Sequence, residues 1–254
     1  MSDWKHYSAP SDLLKDRVIM VTGASQGIGE AAALALARHG ATVVLIARTA
    51  KKLEKVYDAI EAAGGPQPAA IPFDLKSATD QDYENLANLV WKELGRLDGI
   101  LHCAHGFSHL SPLLLQKVDE WVEMFRVNVA APFGLTRACM PLLKRSPDAA
   151  VLLVSETHAQ APKAYWGGYA VTKSALSPFL TIAASEWDNL PNLRINMLVP
   201  GPVHSPFRTK THPGESKDSL PSIESLLPGL LYWMGPASTG RSGELIDVAA
   251  SGQS

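Results

Sequence analysis

The stretch Thr22-Gly23-Ala24-Ser25-Gln26-Gly27-Ile28-Gly29 decides the fold of this chain. It follows an apolar run at residues 18–21 and opens a segment rich in alanine and leucine. This order predicts a strand, a tight glycine turn and a helix whose N-terminal N–H groups and positive dipole suit a diphosphate. Gly23 would allow the turn, Gly27 the approach of the ligand and Gly29 close helix–strand packing. Glycines also occur at ordinary strand-to-helix corners, so the rest of the chain must decide.

The composition excludes several classes of protein. With 254 residues, 46% of them hydrophobic, the chain is long enough for one buried core. A formal net charge of -2 offers no basic surface for nucleic acid, and no apolar run is long enough to predict a membrane span. The polar residues 1–10 do not resemble a signal peptide, and Cys103 and Cys139 have no metal-ligand spacing. We therefore expect a cytoplasmic protein without a metal.

Apolar runs alternate with amphipathic segments along the chain, and glycines end several of them. The predicted strands are residues 17–22, 42–47, 69–73, 97–103, 150–155, 193–199 and 244–248. The predicted helices are residues 27–39, 50–63, 80–94, 119–144, 169–190 and 226–234. This alternation indicates an α/β fold built from right-handed βαβ units around a parallel sheet. We expect one domain over residues 1–254, whose first 12 residues form an N-terminal arm. For this arm a frayed end is a simpler expectation than docking on the surface.

Arg48 follows the second predicted strand, in the order Ile46-Ala47-Arg48-Thr49. In dinucleotide folds a carboxylate at this place selects NAD, whereas a cation accommodates the 2′-phosphate of NADP. Here there is a cation and no acid, with Lys51 and Lys52 nearby. The alternative is a solvated charge patch at a helix start. The residues favour NADP(H), with NAD(H) possible.

Tyr169 and Lys173 are four residues apart and would share one face of a helix. An ammonium beside a phenol favours the phenolate and lowers the tyrosine pKa from about 10. Such a tyrosine can protonate a carbonyl oxygen during reduction or accept the alcohol proton during oxidation. The spacing alone is common, but here it follows a buried strand in a chain that begins with the glycine turn.

Together these motifs resemble the short-chain dehydrogenase/reductase family over about residues 15–203. The family's helix asparagine lies about 41 residues before its tyrosine, and Asn128 precedes Tyr169 by 41. Pro200-Gly201 matches the family's Pro-Gly, and Asp74 matches an acid near the adenine. The resemblance implies a Rossmann-like, doubly wound parallel β-sheet with helices on both faces. It also implies an oxidoreductase that moves a hydride between a nicotinamide cofactor and a carbonyl/alcohol pair.

The resemblance also implies roles for single residues. Tyr169 would be the acid/base, Lys173 would tune it and bind the nicotinamide ribose, and Asn128 would bend its helix and hold a water. Ser205 stands where the family often has a threonine that binds the nicotinamide carboxamide. The cofactor positions so implied are Gly23, Ser25, Gln26, Gly27, Ile28, Gly29, Arg48, Asp74, Leu75, Ala104, Tyr169, Lys173, Pro200, Gly201, Val203 and Ser205.

Two departures from the family pattern stand out. The family's Asn-Asn-Ala-Gly is here His102-Cys103-Ala104-His105, which places a histidine where a glycine normally meets the cofactor. The family's catalytic serine lies thirteen residues before the tyrosine, and Glu156 occupies that place. An ionised Glu156 would repel negative charge on the substrate oxygen and raise the pKa of Tyr169.

Glu156 leaves two ways for the chemistry to proceed. An apolar site could keep the carboxyl protonated, so that it donates a hydrogen bond as serine would. Alternatively Glu156 turns to a cation, and Thr157 or His158 donates. If the strand continues, Ser155 and Thr157 point to the face opposite Glu156 and cannot simply replace the serine. A catalytically weakened nucleotide-binding sensor is therefore the alternative function.

Two further expectations concern surfaces. The proline-rich residues 204–222 would form a lid over a small carbonyl or alcohol substrate. The two long helices carry wide apolar faces with small residues such as Ala131, Ala170 and Ala183. The family generally pairs these helices between subunits, which implies a homodimer or homotetramer, unless these faces only cover the sheet.

Overall fold

The computed structural model describes residues 4–248, and its centre is a seven-stranded parallel sheet. The strands are β1 (Val18–Thr22), β2 (Thr42–Ala47), β3 (Ala69–Pro72), β4 (Gly99–His102), β5 (Ala149–Val154), β6 (Leu193–Val199) and β7 (Leu245–Asp247). Their order in the sheet is β3-β2-β1-β4-β5-β6-β7, and every neighbouring pair is parallel. The sheet therefore winds outward in both directions from β1 and β4, as predicted.

Ten helices connect and cover the strands in the described part of the chain. They are α1 (Gly27–Arg38), α2 (Ala50–Ala62), α3 (Asp80–Leu94), α4 (Val118–Phe125), α5 (Ala131–Leu143), α6 (Thr157–Gln160), α7 (Gly167–Ser174), α8 (Leu176–Glu186), α9 (Pro206–Thr211) and α10 (Leu227–Met234). None of the helices in residues 4–248 is long and apolar enough to cross a membrane.

The sheet is covered on both faces, which explains its continuous apolar strands. Ile19 and Val21 of β1 pack into the core that includes α1, α2 and α10. Val18 and Met20 alternate with them and pack into the opposite core, with α3, α5 and α8. Because alternate strand residues point to opposite faces, a strand buried on both sides needs an apolar residue at every position.

The predicted helix at residues 119–144 is interrupted in its middle. Between α4 and α5 the backbone forms one wide helical turn, Arg126–Ala130, with Asn128 buried in it. Pro132 follows and has no N–H to donate to the carbonyl of Asn128 four residues earlier. Missing helical donors and wide turns are known causes of local helix distortion. The predicted helix at 169–190 is likewise divided, into α7 and α8.

The N-terminal arm is docked from residue 4 onward, so the expected frayed end was wrong for these residues. Trp4–His6 forms a short turn, and the Trp4 ring lies 3.0 Å from the position that a Cβ on Gly229 would take. Tyr7 packs edge-on against Tyr232, with ring centroids 5.4 Å apart. Two aromatic rings thus attach the arm to α10, and residues 1–3 lie outside the described part.

Candidate active site

A cleft of about 520 Å³ opens at the carboxyl edge of the sheet, beside the adjacent strands β1 and β4. After β1 the chain continues into one half of the sheet, and after β4 it continues into the other half. Ligands of doubly wound sheets bind at this kind of switch point. The predicted site residues that line the cleft are Gly23, Ser25, Gln26, Gly27, Ile28, Gly29, Arg48, Asp74, Leu75, Ala104, Glu156, Tyr169, Lys173, Pro200, Gly201, Val203 and Ser205. Asn128 is buried behind the wall and does not line the cleft.

The glycine turn, residues 22–29, is built by close backbone contacts. A Cβ on Gly29 would lie 2.3 Å from the carbonyl oxygen of Gly23, so α1 can pack this closely only without a side chain. Gly23 has φ +68°, and its Cβ would lie 2.8 Å from the backbone nitrogen of Ala104. Gly27 also has a positive φ, +60°, a backbone conformation that glycine adopts without the strain a Cβ would cause. Each of the three glycines therefore has a steric or conformational reason of its own.

The end of the cleft near β2 and β3 carries the predicted selectivity residue. Arg48 is exposed and lines the cleft, and Asp74 and Leu75 line it from the loop after β3. Lys52 also lines the cleft, and its Nζ donates to Oε1 of Gln26 in the glycine turn at 3.2 Å. In residues 4–248 there is no cluster of side chains that could hold a metal ion.

Tyr169 and Lys173 both lie on α7 and are almost completely buried. Nζ of Lys173 donates to the carbonyl oxygen of Val154 at 2.8 Å, and burial lowers the Lys173 pKa to about 8. Burial, and secondly the charge of Glu156, raise the pKa of Tyr169 well above 10. The expectation that Lys173 lowers the tyrosine pKa was therefore wrong for this structure, because desolvation of the phenol dominates.

Asn128 connects the loop after β4 to α7. Its Oδ1 accepts from the backbone N–H of Gly106 at 2.7 Å, and its Nδ2 donates to the Gly106 carbonyl at 3.0 Å. The same Nδ2 donates to Oγ1 of Thr172 at 2.9 Å, one position before Lys173. One amide thus holds together two walls of the cleft.

Glu156 leaves the sheet, because β5 ends at Val154 and a new helix begins. Its carboxylate caps α6, accepting from the backbone N–H of His158 at 2.5 Å and from the His158 ring Nδ1 at 2.8 Å. The strand alternation therefore does not apply, and Ser155 and Glu156 both line the cleft. The expectation of opposite faces applied to a strand that continues, and β5 ends before these residues. His158 lies flat on Trp166, with ring centroids 3.7 Å apart and planes at 14°.

An aromatic cluster that the sequence reasoning missed surrounds Tyr169. Its members are Phe107, Trp166 and Phe207, whose ring centroids lie 5.3, 5.8 and 5.3 Å from that of Tyr169. They come from the loop after β4, the turn before α7 and α9 in the predicted lid. Each of these three residues lies close in sequence to one of the motifs described above, which could have pointed to them. The sequence does not show, however, that the three rings contact one another.

The two histidines that depart from the family pattern have different environments. His102 is buried in β4, and its Nε2 lies 2.9 Å from Oγ1 of Thr136. His105 lines the cleft with its ring against Phe207, at 4.7 Å between centroids. His105 is exposed to the cleft, whereas His102 is enclosed. His102 has a structural partner, whereas His105 forms part of the cleft wall.

The fold and this arrangement of residues define a dinucleotide-fold oxidoreductase. Residues 17–216 match the model of the short chain dehydrogenase family, and the chain belongs to that family. It is an oxidoreductase, as the family and its relatives are.

Three relatives show how far the similarity extends. The uncharacterized oxidoreductase YciK of Escherichia coli K12 is 36% identical over 243 residues, covering 96% of each chain. A Pseudomonas syringae protein assigned to the short chain dehydrogenases is 43% identical, with a TM-score of 0.91 over 95% of this chain and 98% of its own. A similarly assigned Escherichia coli CFT073 protein, solved in complex with NADPH, is 36% identical, with a TM-score of 0.90 over 94% and 98%.

Proposed function

We propose that this protein is an NADP(H)-preferring oxidoreductase that interconverts a ketone or aldehyde and the corresponding alcohol. The observation that carries the proposal is one cleft lined by the glycine turn, Arg48, Tyr169 and Lys173. The turn fits a dinucleotide diphosphate, because its glycines leave no side chain between the start of α1 and the ligand. The solved relative that holds NADPH supports the same cofactor here.

In this proposal NADPH, when bound, supplies the hydride that adds to the carbonyl carbon. The Tyr169 phenol, which its raised pKa keeps protonated before the reaction, donates its proton to the carbonyl oxygen. Lys173 would bind the nicotinamide ribose, and its ammonium would stabilise the phenolate after the proton has left. Asn128 would support the proton path by holding the loop after β4 against α7.

The cofactor preference rests on Arg48, which can bind the 2′-phosphate with paired, charge-assisted hydrogen bonds. Lys52 lies on the same wall of the cleft and would add a second positive charge. Calorimetric titration of the unmodified protein should give tighter binding of NADPH than of NADH. Arg48→Ala should weaken the binding of NADPH by about ten- to a hundredfold, since a hydrogen bond to a charged group contributes about 1.5–3 kcal/mol. The same change should affect the binding of NADH little. Equal affinities of the unmodified protein for the two cofactors would refute the preference.

A nucleotide-binding sensor with little turnover is the second candidate, and the specific observation in its favour is Glu156. An acid stands where the family has a hydrogen-bond donor to the substrate oxygen, and its charge acts on Tyr169. NADPH oxidation measured against a panel of ketones and aldehydes separates the two functions. Tight NADPH binding with no turnover of any carbonyl compound would favour the sensor.

We also propose a homo-oligomer that pairs the faces of α5, α7 and α8. Ala131, Ala170 and Ala183 turn inward to the chain's own core, so they do not support this pairing. The support comes instead from large apolar side chains on the outer faces of these helices, such as Phe133 and Ile182, which are 52% and 57% exposed. Light scattering at micromolar concentration should give a multiple of the 27.3 kDa chain mass, and a monomer would rule the pairing out.

A further inference from the structure

Glu156 is a fixed carboxylate in the wall of the cleft. Two donors of His158, its backbone N–H and its Nδ1, hold the carboxylate, and stacking on Trp166 holds the His158 ring. A carboxylate has about four acceptor positions, so acceptor capacity remains beyond these bonds. The Glu156 side chain is 16% exposed and lines the cleft. This is the arrangement of a preorganised anionic group, not of a mobile surface acid.

The position of this charge disfavours an ordinary ketone. Hydride addition to a neutral carbonyl places negative charge on the oxygen until Tyr169 delivers its proton. Glu156 and Tyr169 line the same cleft, and the carboxylate raises the pKa of the phenol, so it also opposes negative charge on an oxygen beside that phenol. A positive charge on the substrate would reverse the sign of this interaction.

The aromatic cluster around Tyr169 offers a second contact for a positive charge. Phe107, Trp166 and Phe207 present rings around Tyr169, and the faces of aromatic rings attract cations. The Phe107 ring already has a cation near it, because Nζ of Lys210 lies 5.2 Å from its centroid. An ammonium group next to such rings keeps its charge without needing a hydrogen-bond partner for each N–H.

The cations at this end of the cleft have partners of their own: Nζ of Lys173 donates to the carbonyl oxygen of Val154 at 2.8 Å, and Nζ of Lys210 to that of Ser108 at 3.4 Å. Arg208 lines the cleft but is held by Glu215, with N···O distances of 2.6 and 2.7 Å. Lys76 is paired with Glu123 at 2.5 Å. Glu120, which also lines the cleft, adds a further negative charge, and Ser108 donates to it at 2.9 Å. A cationic substrate would thus meet two carboxylates in this cleft, those of Glu120 and Glu156.

We propose that the substrate carries an ammonium group close to the reacting carbon, as in an amino ketone or amino alcohol, with Glu156 and the aromatic cluster binding that group. This proposal rests on the carbonyl/alcohol function proposed above and specifies its substrate class. In reduction, one hydride adds to the carbonyl carbon and one proton from Tyr169 adds to its oxygen. The ammonium group does not react.

The test uses two ketones of nearly equal shape. Trimethylammonioacetone and methyl neopentyl ketone differ only in that a positively charged nitrogen replaces a carbon. The kcat/KM of NADPH oxidation should be higher for the charged ketone, by about tenfold or more, as expected for one favourable charge and ring contact of about 1.4 kcal/mol. Glu156→Gln keeps the shape and removes the charge, and should lower this ratio several-fold, because only the aromatic cluster then still favours the charged ketone. Glu61→Gln, an exposed acid on α2, removes the same net charge and should leave the ratio unchanged.

Binding measurements keep this proposal separate from the proposed function. If neither ketone is reduced, calorimetric titration of each ketone into the enzyme with NADP⁺ gives the ratio of dissociation constants. Tighter binding of the charged ketone, reduced in Glu156→Gln but not in Glu61→Gln, supports the substrate class even though the proposed reaction has failed. Equal binding, tighter binding of the neutral ketone, or no binding of the charged ketone at millimolar concentration would overturn it, whether or not NADPH is oxidised.

Discussion

The two halves of the cleft are built by different means. The glycine-turn half depends on backbone contacts, in which Gly29 approaches the carbonyl of Gly23 and Gly23 approaches Ala104. The half around Tyr169 depends on side chains, with aromatic rings from three separate parts of the chain and a carboxylate held by His158. The glycine-turn half carries the motif on which the resemblance to the family rests, whereas Glu156 in the other half is the predicted departure from the family pattern.

The difference shows where a shared fold can specialise. A backbone turn that requires glycine has one solution at each position, since any side chain would collide or need a positive φ. A wall of side chains has many solutions, because each residue can change without moving the sheet. We therefore expect changes in the glycine turn to affect the cofactor, and changes in the aromatic cluster and Glu156 to affect the choice of substrate.

The largest expected effect is that of Tyr169→Phe, which tests the side-chain half. Removal of the phenolic proton should lower kcat by about 10²–10⁴-fold, the usual contribution of general acid catalysis. Because the ring remains, the affinity for NADPH and the thermal unfolding temperature should change little. Steady-state NADPH oxidation and calorimetry measure the two quantities. A variant that retained most of its activity would mean that another group, such as the Glu156–His158 pair, delivers the proton.

The second effect is that of Gly29→Ala, which tests the backbone half. The added Cβ would lie 2.3 Å from the oxygen of Gly23, so the turn must shift. We expect a loss of about 1–3 kcal/mol in the free energy of unfolding, as for other overpacked sites, and weaker NADPH binding. Chemical denaturation and calorimetry measure these changes.

Gly214→Ala is the matched control for that variant. A Cβ on Gly214 would meet nothing within 4 Å, so its stability and cofactor affinity should stay close to those of the unmodified protein. If Gly29→Ala bound NADPH as tightly as this control, the glycine turn would not be the diphosphate site.

The last effect, and the most gradual one, concerns the titration of Lys173. Burial lowers its folded pKa to about 8, whereas the unfolded chain keeps the ordinary value near 10.4. Between these values the unfolded state binds more protons, so this group makes the free energy of unfolding rise with pH. The rise is about 1.4 kcal/mol per pH unit at most, and below pH 8 the buried charge lowers stability by a constant amount.

Urea denaturation between pH 7 and pH 10 measures this dependence. Lys173→Met should remove the rise, whereas Lys51→Met, at an exposed position, should preserve it. The same slope in both variants would show that Lys173 keeps its proton throughout this range.

Much of the glycine-turn half of the cleft was predicted from the sequence, because local sequence patterns determine its structure. The bounds of β2, α3 and β6 coincide with the predicted ones, and the predicted cofactor positions line one cleft. Local patterns decide these features: continuous apolar runs indicate buried strands, glycines mark the ends of helices, and the Tyr-x-x-x-Lys spacing puts two side chains on one helix face. Tertiary contacts do not override these patterns here. The cofactor roles of these residues stay predictions until binding is measured.

The sequence by itself determined the parallel sheet, the glycine turn and the helical pairing of Tyr169 with Lys173, since period and spacing decide them. Only the tertiary structure decided what surrounds them. Burial, which depends on every neighbouring element, raises the pKa of Tyr169 instead of allowing Lys173 to lower it. The end of β5 at Val154 turns Glu156 toward His158, and packing brings together three rings that are far apart in sequence. Contacts between residues far apart in the sequence produce no periodic pattern in it, so only the folded structure shows them.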